Sequence, residues 1–513
     1  MKTQDLPHQQ ACAEWSNRIL IFSLLGIAYL TLFPFKFDFA ASFAFHRYPF
    51  LLDTSVKRST HTDFFLNVLL FVPFGFGLCA KLRKRGNSRW TSLLLALAVG
   101  AGASYVVELL QFYIPPRDSG WLDVFTNALG SAVGFFLFEF CGGAILEALS
   151  KWEDSFGGWL TPRRAALLLV VYFAACFGFS VVSQNETRLS NWDPQCILFV
   201  GNDASGQDPW RGQIFLLQIW NRALPERAIR RMTGPGSAED SSAGLLGYYD
   251  FTNSAPYRDR RDFLPPLDWT PEQPQFTNAR TSELDARSWL RTQFPVENLT
   301  REIKKSSQFT VHVVCAPGAK QDVHGHIVSL SQSADNVNFH LRQEGSNLVF
   351  WFRNPLSETR SVLAWTVPGA FEAGKTRDIV ASYDGSDAFL YLDGKRVART
   401  YRLSPGASFM HRFFDIQTAD LEAYVIVYET LIFLPAGLLI GVAARKRSRE
   451  KISGRWILAL GWVLPAVLLE ILLAAVSGGR IWAGNIGLSL IFGLAGILIV
   501  NADRRLKTSV GSS

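Results

Sequence analysis

Six polar side chains stand beside long apolar runs, where hydrocarbon should exclude them: Asn67, Glu108, Gln111, Arg117, Asp123 and Asn127. Glu108 and Gln111 are three apart and Asp123 and Asn127 four apart, so each pair shares a helix face. A charge in a membrane span is costly unless it is paired or hydrated, so these groups should face a cavity or one another. Three kinds of chemistry fit. Arg117 could pair an anionic head group while Glu108 and Asp123 orient it or carry protons. Alternatively, Glu108 or Asp123 could be a general base with Arg117 stabilising developing charge. The groups could also form only a hydrogen-bonded network that locks three helices together. The sequence has no nucleophile elbow, HExxH, P-loop or Cys–His pair, and His61 is the one histidine nearby. The balance is against an enzyme, and no cofactor or metal is expected.

The elements that must position these groups are membrane spans. A span needs roughly 20 apolar residues. Eight runs qualify, near Ile19–Phe35, Phe64–Ala80, Thr91–Phe112, Val124–Cys141, Ala165–Val182, Tyr424–Ala444, Ile457–Val476 and Ile481–Val500. The first is read as a retained anchor, because Asp5 and Glu14 spoil the positive segment that a cleaved leader needs. Pro73, between Phe71 and Gly75, should kink the second. Gly130 and Gly134 give the fourth a small-xxx-small packing face.

Composition agrees. Of 513 residues 48% are hydrophobic, 19% are charged and 40 are Phe. That excludes disorder, collagen and a disulfide knot. Mean hydropathy is only +0.12, as expected when spans are mixed with a soluble domain. The net charge of +7 does not mark a nucleic-acid reader. Its densest clusters abut apolar runs and report topology instead. They are Lys81–Arg89, Pro162–Arg164, Arg445–Arg455 and Arg504–Lys507. Alternating spans put all four on one side, which should be the cytoplasm, with both termini. The polar groups of spans two to four then lie near the outer face, and 185–420 lies outside.

In that outer stretch apolar residues alternate with polar ones between turn signals. Asn347–Arg353 and Ala388–Leu392 read as strands, the second closed by an Asp393-Gly394 hairpin turn, and Asp384-Gly385 is another such turn. Short strands over such a length imply a β-sandwich. Asp203 and Asp208 are loop carboxylates, read as solvated, and no dense acidic loop marks calcium. Trp210 and Trp220 are read as core. Cys196 and Cys315 both lie outside, where a disulfide could persist; two free thiols are the alternative.

Two resemblances emerge. Gly201–Ile229, Leu245–Phe251 and Ser382–Val397 resemble the laminin-G-like, or concanavalin-A-like, sandwich. The closing-strand motif Trp-x-Gly-x-Ile precedes the opening Tyr-Asp-Phe strand, which implies a circular permutation. Such a fold implies glycan or protein binding. No glycosidase carboxylate pair is visible. The second resemblance lies in Asp63-x-x-x-Asn67, Phe71-Val72-Pro73-Phe74-Gly75, Glu108-x-x-Gln111, Arg117 with Asp123, and Asn127-x-x-Gly130-x-x-x-Gly134. Together these resemble the VanZ-like membrane family. That resemblance implies a bacterial envelope role, similar to accessory proteins of glycopeptide resistance, particularly towards teicoplanin. The partners it implies are membrane lipid and a cell-wall or surface glycan or lipid-linked intermediate. It supplies no reaction, and a lipid transporter remains open beside the enzyme.

A shift of 362 residues lays Phe71 on Phe433, Pro73 on Pro435, Gly75 on Gly437, Glu108 on Glu470 and Gly134 on Gly496. Asn67 falls on Glu429, Gln111 on Leu473, Asp123 on Asn485, Asn127 on Ser489 and Arg117 on Gly479, beside Arg480. The last spans read as a degenerate parallel copy. The expected architecture is therefore a multi-pass α-helical membrane protein of about eight spans with an extracytoplasmic all-β sandwich. Its parts are a four-span VanZ-like domain (1–150), a cytoplasmic loop and fifth span (151–184), the sandwich (185–420) and three final spans (421–513).

Overall fold

The computed structural model describes residues 5–33, 37, 61–114, 120–232, 243–252, 256–270, 282–284, 287–318, 324–357, 364–397, 401–411, 421–447, 459–478 and 480–510. Contacts divide the chain into two units, Met1–Thr161 and Pro162–Ser513.

The first unit holds α1 (Asp5–Leu32), α2 (His61–Lys84), α3 (Arg89–Gln111) and α4 (Trp121–Trp159). Ser88 caps α3, its hydroxyl accepting the Thr91 N–H at 3.1 Å. The α2 helix runs through Pro73 without a break. The fourth apolar run was expected to end at Cys141. Instead the helix continues to Trp159, because no proline interrupts the chain between Trp121 and Pro162. The expected loop before the fifth span shrinks to Leu160 and Thr161, and Pro162 opens the next helix.

Glycines on α2 and α4 let the two backbones touch. A Cβ at Gly75 would stand 2.1 Å from the Ser131 carbonyl oxygen, and one at Gly134 2.2 Å from that of Val72. At Gly130 it would lie 2.2 Å from the Val68 carbonyl oxygen. This is the small-residue packing that lipid-embedded helices use for close approach. Large apolar side chains point outward: Phe65, Leu69, Leu94 and Phe140 are exposed. Polar groups such as Ser104, Glu108 and Asn127 are buried.

The second unit begins with α5 (Pro162–Asn185). Two antiparallel sheets follow. One has the order β11-β10-β9-β8-β1-β6-β4, formed by Trp365–Val367, Asn347–Phe352, Val337–Glu344, His324–Ser331, Ile197–Val200, Trp289–Thr292 and Leu267–Thr270. The other has the order β14-β13-β12-β7-β2-β3, formed by Lys395–Arg396, Asp387–Leu392, Arg377–Tyr383, Phe309–Pro317, Gly212–Trp220 and Leu245–Asp250. At its margins β15 (Tyr401–Arg402) pairs with β13, and β5 (Ser282–Leu284) with β2. Rings from the two sheets meet in the core: Phe309 lies 5.7 Å from Phe339, and Tyr383 4.6 Å from Phe352. Trp210 and Trp220 are fully buried, as expected.

Asp393 and Gly394 both have positive φ, 50° and 74°, and join β13 to β14 in the tight hairpin that an Asp-Gly pair favours. Two short helices, α6 (Glu226–Met232) and α7 (Glu297–Ser306), belong to this β-rich region. After α8 (Pro405–His411) come α9 (Leu421–Arg447), a π-turn at Ala459–Val463, α10 (Leu464–Ser477) and α11 (Ala483–Val510). Pro435 in α9 cannot donate to the Leu431 carbonyl, and the Tyr172 hydroxyl of α5 donates there at 2.9 Å. Leu169 and Phe173 of α5 pack with Phe433, Ala436, Leu469 and Ile497 to close this helical core.

Seven helices among the described residues are long and apolar enough to cross a membrane, against the eight expected. The seventh run falls on the shorter apolar helix Gly461–Ser477, whose apolar stretch is below spanning length within the described residues.

Of the two alternatives the sequence left open for Cys196 and Cys315, the bridge is not formed. Both thiols are free and buried. Cys196 precedes β1 in one sheet and Cys315 lies on β7 in the other. Packed sheets stand about 10 Å apart, beyond the roughly 7 Å between Cα atoms that a disulfide spans. Burial pushes each thiol up to about 12. Asp203 is also buried rather than solvated, accepting the Ser205 N–H at 3.0 Å.

Candidate functional site: a polar centre at one end of the first helical unit

The 23 residues of α3 rise about 34 Å, enough to cross a bilayer core. Basic residues gather at its first end, where Arg83 and Arg89 lie 2.9 and 3.0 Å from the carboxylate of Glu139 on α4. The polar residues gather at the other end. Glu108, near the last turn of α3, accepts the Gly120 N–H on Oε2 at 3.0 Å. Gly120 is the N-cap of α4, so Glu108 satisfies one of its helix-end donors. Asp123 lies in the first turn of α4, where the helix dipole favours a carboxylate. The Asn67 amide of α2 donates to Asp123 Oδ1 at 2.6 Å. Asn67, Glu108 and Asp123 thus tie three helices at one level.

Gln111 and Asn127 do other work. The Gln111 amide donates to the Thr31 carbonyl at 2.9 Å and ties α3 to the end of α1. Asn127 sits one turn deeper and donates to the Ser104 hydroxyl at 2.8 Å. Its Oδ1 is buried without a hydrogen-bond partner among the described residues. Arg117 lies outside the described residues. Sequence reasoning missed Thr31, Ser104 and Gly120. Ser104 had a signal, standing four residues before Glu108 on the same face. The other two act through backbone atoms, which side-chain identity does not announce.

The second unit has a centre of its own, and the offset of 362 residues reproduces much of its geometry. Glu470 accepts the Trp482 N–H on Oε2 at 3.2 Å, as Glu108 accepts that of Gly120. A Cβ at Gly437 would meet the Gly493 carbonyl oxygen at 2.1 Å, as one at Gly75 meets that of Ser131. At Gly496 a Cβ would meet the Leu434 oxygen and Leu438 nitrogen; at Gly134 it would meet the Val72 oxygen and Phe76 nitrogen.

This centre is less depleted than expected. Asn485 donates to Glu470 Oε1 at 2.7 Å, whereas Ser489 donates at 2.7 Å to Glu429, a second buried carboxylate. Arg480 turns away, its guanidinium lying 5.7 Å from the Phe389 ring centroid. Other groups close the mouth. The Trp482 indole donates to Asp387 Oδ2 at 2.9 Å, and the Arg402 guanidinium stacks 3.7 Å from the indole centroid. Arg402 also lies 3.2 Å from Asp387 and reaches Asn485 Oδ1 at 3.4 Å. Burial, with Asp384 nearby, raises the Asp387 carboxyl to about 6.

Where Trp482 fills the second centre, the first has Gly120. Among the described residues, a Cβ there would have one neighbour within 4 Å, Asp123 Oδ2 at 3.9 Å. Among the described residues, the position that carries an indole in the second centre is thus a glycine beside the carboxylates of the first.

Residues 20–142 match the VanZ/LLP1 family model. They form a VanZ/LLP1 domain. The match embraces α2, α3 and all six polar positions. The region is similar to Protein VanZ of Enterococcus faecium, with 24% identity over 123 residues, 24% of this chain and 73% of that relative. No solved structure matches the chain. The VanZ/LLP1 domain lies within the first unit, so the match covers the centre that has Gly120.

Proposed function

We propose that the chain is a VanZ-like integral membrane protein of the bacterial cell envelope. Its first polar centre engages a lipid-linked or glycan envelope molecule. The observation that carries this reading is the room, among the described residues, beside Gly120, next to Glu108 and Asp123, inside the VanZ/LLP1 domain. A network serving only to lock helices would have no use for space at its mouth, since packed interiors leave few voids. Arg117, in the short connection between α3 and α4, is positioned by sequence to meet an anionic head group.

The similarity to VanZ and the family's accessory role in glycopeptide resistance favour a teicoplanin phenotype. Cells expressing the chain should tolerate more teicoplanin than cells without it; unchanged tolerance removes the resistance reading. A transporter is the second reading. It is favoured by the repeated glycine contacts and the repeated Glu–N–H bond, which support α5 with α9, α10 and α11 as a degenerate second VanZ-like bundle.

In this reading the basic end of α3 is cytoplasmic, as are both termini, and the polar centre and β-rich region face outward. The β-rich region is a permuted laminin-G/concanavalin-A-like sandwich for glycan or protein. β2 followed by the short α6, ahead of β3, supports the permuted order. Labelling checks the topology. Ser333→Cys, exposed on the β8–β9 turn, should react with an impermeant maleimide on intact cells. Ser88→Cys should react only after the membrane is opened. External labelling at Ser88 overturns this arrangement.

A further inference from the structure

Several buried hydrogen-bonding groups of the β-rich region are left unmet by the fold, and they gather on one sheet. We propose that the face of the β11-to-β4 sheet turned away from the core binds a neutral glycan, held by Asp203, His326, His340, Arg342 and Trp351. This rests on reading the β-rich region as a binding module, and it names the site and the ligand class. Phe339 and Leu341 of β9 and Phe350 and Phe352 of β10 are buried. The alternate residues His340, Arg342 and Trp351 therefore share the opposite face. His340 stands directly across from Trp351, and Arg342 across from His326 of β8. Three rings form the floor: the His326 and His340 centroids lie 5.0 Å apart, and those of His340 and Trp351 5.6 Å apart. The loop 202–209 is the wall. Its Ala204 N–H donates to Ser331 Oγ at 3.1 Å, and the His326 N–H donates to the Asp208 carbonyl at 3.1 Å. That loop brings Asp203 Oδ2 to 3.9 Å from His326 Nδ1, beyond hydrogen-bond reach.

Among the described residues, His326 Nδ1, Trp351 Nε1 and Arg342 Nε are buried with no hydrogen-bond partner, as is Nδ2 of Asn202, the neighbour of Asp203 in the chain. His326 is 4% exposed and Asn202 is fully buried. Native folds leave few such groups unpaired, because each is costly. The indole, guanidinium and amide nitrogens only donate, so they call for acceptor oxygens, which a cation lacks. The charge disfavours an anion. Arg342 already lies 3.5 Å from Glu344 and 4.0 Å from Asp208, and Asp203 is a further carboxylate. Burial, with Arg342 nearby, holds the His326 and His340 imidazoles below their usual range, so neither adds positive charge. A hydroxyl satisfies both demands: its oxygen accepts from the indole or guanidinium, and its hydrogen goes to Asp203 or an imidazole nitrogen. A sugar arrays hydroxyls around a ring whose C–H face packs on aromatic rings. An aromatic floor with a few convergent polar groups is the usual form of such a site.

The test is saturation-transfer NMR, read by titration, of the full chain in detergent with four probes: cellotetraose, maltotetraose, mannotetraose and the acidic tetragalacturonate. The wild type should bind at least one neutral probe, and bind it more tightly than tetragalacturonate. Trp351→Phe keeps a ring and removes a nitrogen that the fold does not bond. Thermal stability should therefore hold while affinity for that probe falls about threefold to tenfold. Asp203→Asn keeps the oxygen that accepts from Ser205 and removes the acceptor facing His326, so it should weaken binding in the same direction. Arg301→Gln on α7 should bind like the wild type. Preference for the acidic probe, or binding to none of the four, overturns the proposal. Neutral-glycan affinity unaltered in either Trp351→Phe or Asp203→Asn overturns this site while leaving the β-rich region a glycan-binding module with its site elsewhere.

Discussion

Gly134→Leu should break up the first helical unit, while Gly143→Leu on the same helix should leave it intact. At Gly134 a Cβ would stand 2.2 Å from the Val72 carbonyl oxygen and 2.6 Å from the Phe76 nitrogen. Both obstacles are backbone of α2, which cannot yield as a side-chain tip can. Overpacking usually costs about 1–3 kcal/mol. A leucine against backbone should reach or exceed the top of that range and force α2 and α4 apart. At Gly143 nothing among the described residues lies within 4 Å of a Cβ, and leucine is a better helix former than glycine, which costs roughly 0.8–1 kcal/mol against alanine. Gly496→Leu should damage the second unit in the same way, since a Cβ there meets Leu434 and Leu438 backbone at 2.5 and 2.7 Å. Thermal unfolding of the purified full chain, read with its membrane abundance, should show large losses for Gly134 and Gly496 variants and little change at Gly143. Equal effects at Gly134 and Gly143 would contradict close α2–α4 packing.

The same glycines mark what could be read from the chain. Gly130 and Gly134 announced a packing face by spacing alone, and long apolar runs announced the helices, because both signals are local. The Asp393-Gly394 turn was equally legible, since two successive positive φ angles select those residues. Sheet order was not. β1 lies between β8 and β6, far along the chain, and no local signal encodes such pairing. The extension of α4 past Cys141 was hidden because Gly142 and Gly143, poor helix formers, follow Cys141 and read as a helix end. At the candidate site, residue types were legible and partners were not. Glu108 was expected to pair with side chains, but it accepts the backbone N–H of Gly120. Arg402 and Asp387 lie about 80 residues or more before Trp482, so their closure of the second centre could not be read from the last spans.

Glu108→Gln should abolish the envelope phenotype without lowering membrane abundance. The amide keeps one oxygen for the Gly120 N–H, so the helix end stays satisfied while the ionisable group is lost. Glu470→Gln should behave in the opposite way. Glu470 accepts from Trp482 on one oxygen and from Asn485 on the other. A glutamine has only one acceptor there and turns its NH₂ toward a donor. Asn485 could reverse its amide only by withdrawing the oxygen that Arg402 reaches. A buried donor left unpaired costs roughly 1–3 kcal/mol, so this variant should lose abundance or thermal stability and keep activity per molecule.

Gly120→Trp tests the first centre most directly. Its φ of −159° is extended backbone that any residue adopts, and an indole there would imitate Trp482. Teicoplanin tolerance should be measured beside membrane abundance in cells expressing Gly120→Trp, with Glu108→Gln and Glu470→Gln in parallel. The account predicts normal abundance with tolerance lost in Gly120→Trp and Glu108→Gln, and tolerance per molecule retained in Glu470→Gln. Full tolerance with position 120 filled, or a greater loss per molecule at Glu470 than at Glu108, would contradict the assignment of the first centre as the working site.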